Sequence, residues 1–151
     1  MLKSISHNEL ITFFEKLSQY SMEPLFISDN DFRIVYANGA FENLVQKSSD
    51  EIINMPFGNA LGCRYIDKGG ENCGNNYYCK ICTIRDSIKS CLLNTNKSFL
   101  NQVVRDFNLG DEIIFKYMRF SSFSVTLMEN THAVIVITES LSNPDISLTE
   151  V

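Results

Sequence analysis

Histidine is scarce in this sequence: the 151 residues include two, His7 and His132. His7 falls in an N-terminal helical pattern and His132 near an expected strand turn. Neither reads as an axial ligand for haem, and no local Cys/His pair, phosphate loop or facing pair of carboxylates points to catalysis. A non-enzymatic protein is expected. Long apolar runs are missing too. Stretches such as Ala133–Ile137 (AVIVI) fall far short of the roughly 20 residues a membrane-spanning helix needs. The N-terminus, MLKSISHNEL, has no apolar run ahead of a small-residue cleavage site, so no secretory signal is read there and a reducing, cytoplasmic setting is expected. Positive charge is not in excess. Lys and Arg number 13 against 18 Asp and Glu, a formal net charge of −5, and the basic residues are dispersed, which argues against a nucleic-acid surface.

What the chain does have is 44% hydrophobic residues, enough for one core with short terminal arms. Ser6-His7-Asn8-Glu9 forms a capping box, and Leu10, Phe13, Phe14, Leu17 and Tyr20 recur at helical spacing. Residues 1–22 are therefore expected to form an amphipathic helix. Its apolar face packs on its own domain or pairs with a second copy, and a homodimer through this helix is the partner expectation. Pro24–Ser28 and Phe32–Ala37 read as a hairpin around the Asp29-Asn30-Asp31 turn. Asn38 caps a short helix through Val45, and Ser48 with Glu51 forms a second capping box. Ile81, Ile84, Ile88 and Leu92 mark a longer helix ending near Asn94, before strands expected over Phe99–Phe107, Glu112–Phe123 and Thr131–Thr138. The polar segment 141–151 reads as a linker stub or frayed end.

The segment Arg33–Gly58 (RIVYANGAFENLVQKSSDEIINMPFG) carries Tyr36, Asn38, Ala40, Phe41, Leu44, Glu51 and Ile52 in an order that resembles the strand-to-helix signature of PAS domains. It departs at Val45-Gln46, where a glycine is usual, and after Ile53, where the expected glycine is delayed to Gly58. The resemblance covers roughly residues 20–140. It implies an α+β fold, a five-stranded antiparallel sheet flanked by short helices over residues 23–140. It also implies a sensory or interaction module that works through a signalling output domain or partner protein.

Four of the five cysteines fall within Gly62–Cys82 (GCRYIDKGGENCGNNYYCKIC), in the order C-x9-C-x5-C-x2-C. Cys79 and Cys82 make a C-x2-C knuckle, and Cys73 and Cys63 bring two more thiols to the same glycine-containing stretch. Cys63, Cys73, Cys79 and Cys82 are expected to hold a metal centre. Four thiolates serve zinc, a 2Fe-2S cluster or a 4Fe-4S cluster, and the spacing does not separate them. An iron-sulfur cluster is favoured in a sensor fold because its chemistry changes with oxygen, nitric oxide or electron supply; zinc is the alternative. Lys80, Arg64 and Arg85 stand nearby to offset the thiolate charge, and Tyr77 and Tyr78 either shield the site or anchor the loop. Nine helical residues place Cys91 half a turn round from Cys82 and about 13 Å along the axis, which makes Cys91 a core thiol and turns Cys82 away from the apolar stripe. Gly62-Cys63-Arg64 with Ile84-Arg85-Asp86-Ser87-Ile88 also resembles flavin-binding light sensors of the same superfamily, though Gly62 and Asp67 replace the Asn and Gln of that motif. A thiol-exchange role for Cys79-x-x-Cys82 lacks the preceding strand that thioredoxin-like folds require.

Overall fold

The computed structural model describes residues 6–20, 23–69, 73–74 and 77–143. The chain opens with α1 (His7–Tyr20), started where Glu9 N–H donates to Ser6 Oγ at 3.2 Å. On α1, Phe13 and Leu17 are exposed, while the side chains of His7, Leu10, Phe14 and Tyr20 lie outside the described residues, as do 144–151. β1 (Leu25–Ser28) and β2 (Ile34–Ala37) form the expected hairpin. Asn38 then does three jobs. Its Oδ1 accepts from Phe41 N–H and Leu25 N–H at 3.0 Å each, and its Nδ2 donates to the Glu23 carbonyl at 2.9 Å. One buried amide thus starts α2 (Gly39–Val45) and ties it to β1.

α3 (Ser49–Ile52) and α4 (Phe57–Leu61) follow. Ser48 precedes α3 as expected, but its hydroxyl donates to Glu51 Oε1 at 3.5 Å and accepts nothing from the helix, so the capping box is not closed. α5 (Arg64–Gly69) and a 3₁₀ turn (Tyr77–Ile81) lead into α6 (Thr83–Leu93). β3 (Phe99–Leu109), β4 (Glu112–Leu127) and β5 (Asn130–Ser142) complete a sheet of order β2-β1-β5-β4-β3, antiparallel throughout. The α+β reading with a five-stranded antiparallel sheet therefore holds. The last three strands run past their expected ends because ladder pairing carries polar residues as well: β5 continues to Ser142, whose partner is Lys116, and takes in the start of the segment read as a linker.

α6 crosses one face of the sheet against β3, β4 and β5. Ile84, Ile88 and Cys91 meet Phe26, Phe41, Phe57, Met118, Phe120 and Ile135 there in one buried cluster. Phe26 stacks parallel to Phe57 and tilts against Phe41, with ring centroids 6.4 and 5.1 Å apart. β1, paired on both edges, is buried on both faces, which explains its unbroken apolar run. Among the described residues, no helix is long and apolar enough to cross a membrane.

Candidate functional site

Five elements converge where the cysteines lie. Gly62, in the left-handed conformation at φ 79°, ends α4, and a Cβ there would sit 2.2 Å from the Asn108 carbonyl oxygen. That close approach admits glycine alone and lets Asn108 N–H donate to the Gly62 carbonyl at 2.6 Å. Cys63 consequently pairs by backbone with Phe107, which fixes it against β3. This is a physical reason for glycine where the light-sensor motif has asparagine.

Cys73 is held from two sides. Its N–H donates to Asn59 Oδ1 at 3.1 Å, and its sulfur lies against the bare face of Gly58. Cys79, on the 3₁₀ turn, accepts from Gly74 N–H at 3.0 Å. Cys82 is the residue before α6, not a member of it, and its sulfur accepts from Arg85 N–H at 3.5 Å. At that position its side chain does not follow the helical rotation, and it is buried in the same cluster as Ile84, Ile88 and Cys91. The expectation that Cys82 turns away from the apolar stripe is thereby corrected, as is the place of Ile81, which is exposed. Cys91 is a fully buried core thiol, as expected.

Cys63, Cys73, Cys79 and Cys82 all line one small cavity, closed by Phe57, Leu61, Ile66, Ile84, Phe107 and the ring of Tyr78. Its interior space is about 20 Å³, room for roughly one water molecule. Tyr78 stacks on Tyr65 with centroids 3.8 Å apart and lines this cavity while itself partly exposed, and Tyr77 is more exposed still. Among the described residues, no three His, Cys, Asp or Glu side chains stand close enough together to share one metal ion.

Of the three cations expected beside the thiols, Arg85 reaches a sulfur and Arg64 and Lys80 do not. Arg85 is nearly buried, with Nη2 donating to Cys73 Sγ at 3.0 Å. Arg64 instead pairs with Asp106 at 2.8 Å, and Lys80 is exposed. The cation missed by sequence reading is Arg105 on β3. Its Nη1 lies 3.8 Å from Cys63 Sγ and 3.6 Å from Cys82 Sγ, with Tyr65 beneath its guanidinium at 5.4 Å. No spacing rule finds it, because β3 brings it back from 42 residues beyond Cys63. Burial works against the charge of Arg105; Cys82 and Cys63, once they are thiolates, outweigh it and hold the guanidinium above its ordinary pKa. Burial pushes the Cys73 thiol up, and Arg85 opposes that only in part. His132 faces the Asn130 carbonyl through Nδ1 at 3.0 Å, at the edge of β5 and away from the thiols.

No family model matches the chain, and no curated protein matches it in sequence. Solved structures do match. A PAS domain of a protein from Colwellia psychrerythraea is 12% identical with a TM-score of 0.60, over 89% of this chain and 99% of that one. A PAS domain from a two-component sensor histidine kinase is 10% identical with a TM-score of 0.58, over 90% of this chain and 100% of that one. An RNA-binding light-oxygen-voltage receptor, 16% identical with a TM-score of 0.54, is matched over 92% of this chain and 35% of that one. Identities this low speak for architecture and not for ligands, and the architecture is consistent among them: the chain has the PAS fold.

Proposed function

We propose that this chain is a sensory PAS module in which Cys63, Cys73, Cys79 and Cys82 hold a metal centre, an iron-sulfur cluster, with zinc as the alternative. The observation that supports it is the convergence of four thiols on a single cavity, with Arg85 and Arg105 donating to three of the four sulfurs. The donor chemistry fits: the cavity is lined by thiols, apolar and aromatic groups and one guanidinium, with no carboxylate or imidazole among the lining residues. A bound cluster supplies an electron-transfer and gas-reactive centre. Because Cys63 is stitched to β3 and Cys82 heads α6, the way those two sulfurs are held bears directly on both elements.

The output runs through another protein or domain, as the two-component kinase named above suggests by analogy of fold. The exposed Phe13 and Leu17 of α1 are the surface we assign to a second copy of the chain. Reduced thiols suit a reducing compartment such as the cytoplasm.

An anaerobic visible spectrum with iron, sulfide and zinc analysis tests the reading. Brown protein with iron and sulfide supports the cluster; colourless protein with one zinc per chain supports the alternative. Cys79→Ser and Cys82→Ser should lose the metal while Cys91→Ser keeps it, and full metal content in the first two would refute the assignment.

A further inference from the structure

Among the described residues, two cations beside the thiols, buried Arg85 and half-buried Arg105, have no carboxylate partner. Arg85 is 9% exposed, and its Nε has no hydrogen-bond partner among the described residues. The guanidinium lies 4.0 Å from the ring centroid of Phe32 and 5.4 Å from that of Phe57, faces that attract a cation but accept no conventional hydrogen bond. Its Nη2 is aimed at Cys73 Sγ. Arg105 reaches Cys63 and Cys82 at the longer distances above. Among the described residues the ion pair is Arg64 with Asp106, so no carboxylate there neutralises Arg85 or Arg105. Lys116, in register with Arg105 on β4, is itself buried and adds to the positive charge of that face. A neutral thiol is a weak acceptor and a poor answer to a buried guanidinium; a thiolate answers it.

We infer that Arg85 and Arg105 are positioning residues that balance the charge of a four-thiolate metal centre on Cys63, Cys73, Cys79 and Cys82. This rests on the metal-centre reading above. Four thiolates around one divalent cation leave two negative charges, and the two guanidinium groups in contact with the sulfurs supply two positive ones. Each arginine is then unfavourable in the metal-free chain and favourable in the loaded one. A residue kept for packing alone behaves in the opposite way, since losing it weakens the metal-free fold.

The test uses the reduced, metal-free full chain under anaerobic conditions, titrated with Co²⁺ against a competing chelator and unfolded thermally without metal. Arg85→Met and Arg105→Met remove the charge but keep the aliphatic bulk; Arg64→Met, from the exposed ion pair, is the control. Each of the first two is expected to bind Co²⁺ about 10- to 100-fold more weakly. Both should retain thiolate-to-cobalt absorption at saturation and a metal-free stability equal to or above that of the parent. Arg85→Lys and Arg105→Lys should recover part of the affinity. Parental affinity in both Met variants, an equal loss in Arg64→Met, or a metal-free Met variant less stable than the parent overturns the inference and leaves the metal centre standing. A parent chain that gives no thiolate–cobalt absorption overturns the metal centre itself, and this inference with it.

Discussion

Gly58 on α4 and Cys73 touch with no room between them: a Cβ at residue 58 would stand 2.7 Å from Cys73 Sγ and 3.0 Å from its Cβ. The helix that opens the cysteine-rich stretch is thereby keyed to one of its thiols. Gly58→Ala gains helix propensity worth up to about 1 kcal/mol but overpacks a site where such strain costs about 1–3 kcal/mol. The expected net result is a loss of about 1 kcal/mol in urea unfolding, together with reduced metal per chain as Cys73 is displaced. A more stable Gly58→Ala with full metal content would show that Cys73 moves freely.

Two left-handed residues mark the points where the chain departs from its PAS-like signature. Gln46, at φ 55°, ends α2 where a glycine is usual, and Asn54, at φ 69°, follows Ile53 where the other glycine is expected. The backbone still takes the conformation that glycine would serve, with side chains that strain it. Gln46→Gly should raise stability by about 1 kcal/mol, and Asn54→Gly by less, since Asn tolerates this region better. Both side chains are exposed, so the gain should appear in denaturation midpoints without a change in metal content.

Asn38, 2% exposed, carries three hydrogen bonds to two elements. Asn38→Ala removes a helix cap worth about 1 kcal/mol and two further part-buried hydrogen bonds, to Leu25 N–H and the Glu23 carbonyl, worth about 1 kcal/mol each. A loss near 3 kcal/mol is expected by chemical denaturation. A loss below 1 kcal/mol would mean that water replaces the amide fully.

Lys116 is 6% exposed, and burial lowers its pKa from the ordinary lysine value. The unfolded chain therefore holds this proton more tightly than the folded one, and folding strains against the charge at neutral pH; that penalty fades as pH rises through the lowered folded value. Lys116→Met should stabilise the protein by about 1 kcal/mol at pH 7, with the difference from the parent shrinking toward alkaline pH. A difference that stays constant between pH 7 and pH 10 would place the ammonium in water.

Local chemistry was readable in advance at most points where one residue acts on its near neighbours, the unclosed Ser48–Glu51 box being the exception. The Asn38 cap, the Ser6 start of α1 and the hairpin across Asp29–Asp31 all depend on contacts within a few residues, and each stands where the sequence puts it. Cys91 was readable too, because α6 keeps its period through Ile84 and Ile88. The same periodicity misplaced Cys82 by a single residue, since a residue ahead of the helix is oriented by its own backbone and not by the 3.6-residue turn.

The sequence by itself determined the order of the five strands and of α1, α2, α3 and α6, and the α+β class, because spacing and hydrophobic period constrain backbone geometry directly; α4, α5 and the 3₁₀ turn carry no such period and were not foreseen. Only the tertiary structure decided which cations answer the thiols. Arg64 lies next to Cys63 yet turns to Asp106, while Arg105 arrives through the β3–β4 ladder and Arg85 is buried against Phe32. Charge partners are selected by distance in space and by loss of water, and neither is written in the distance along the chain.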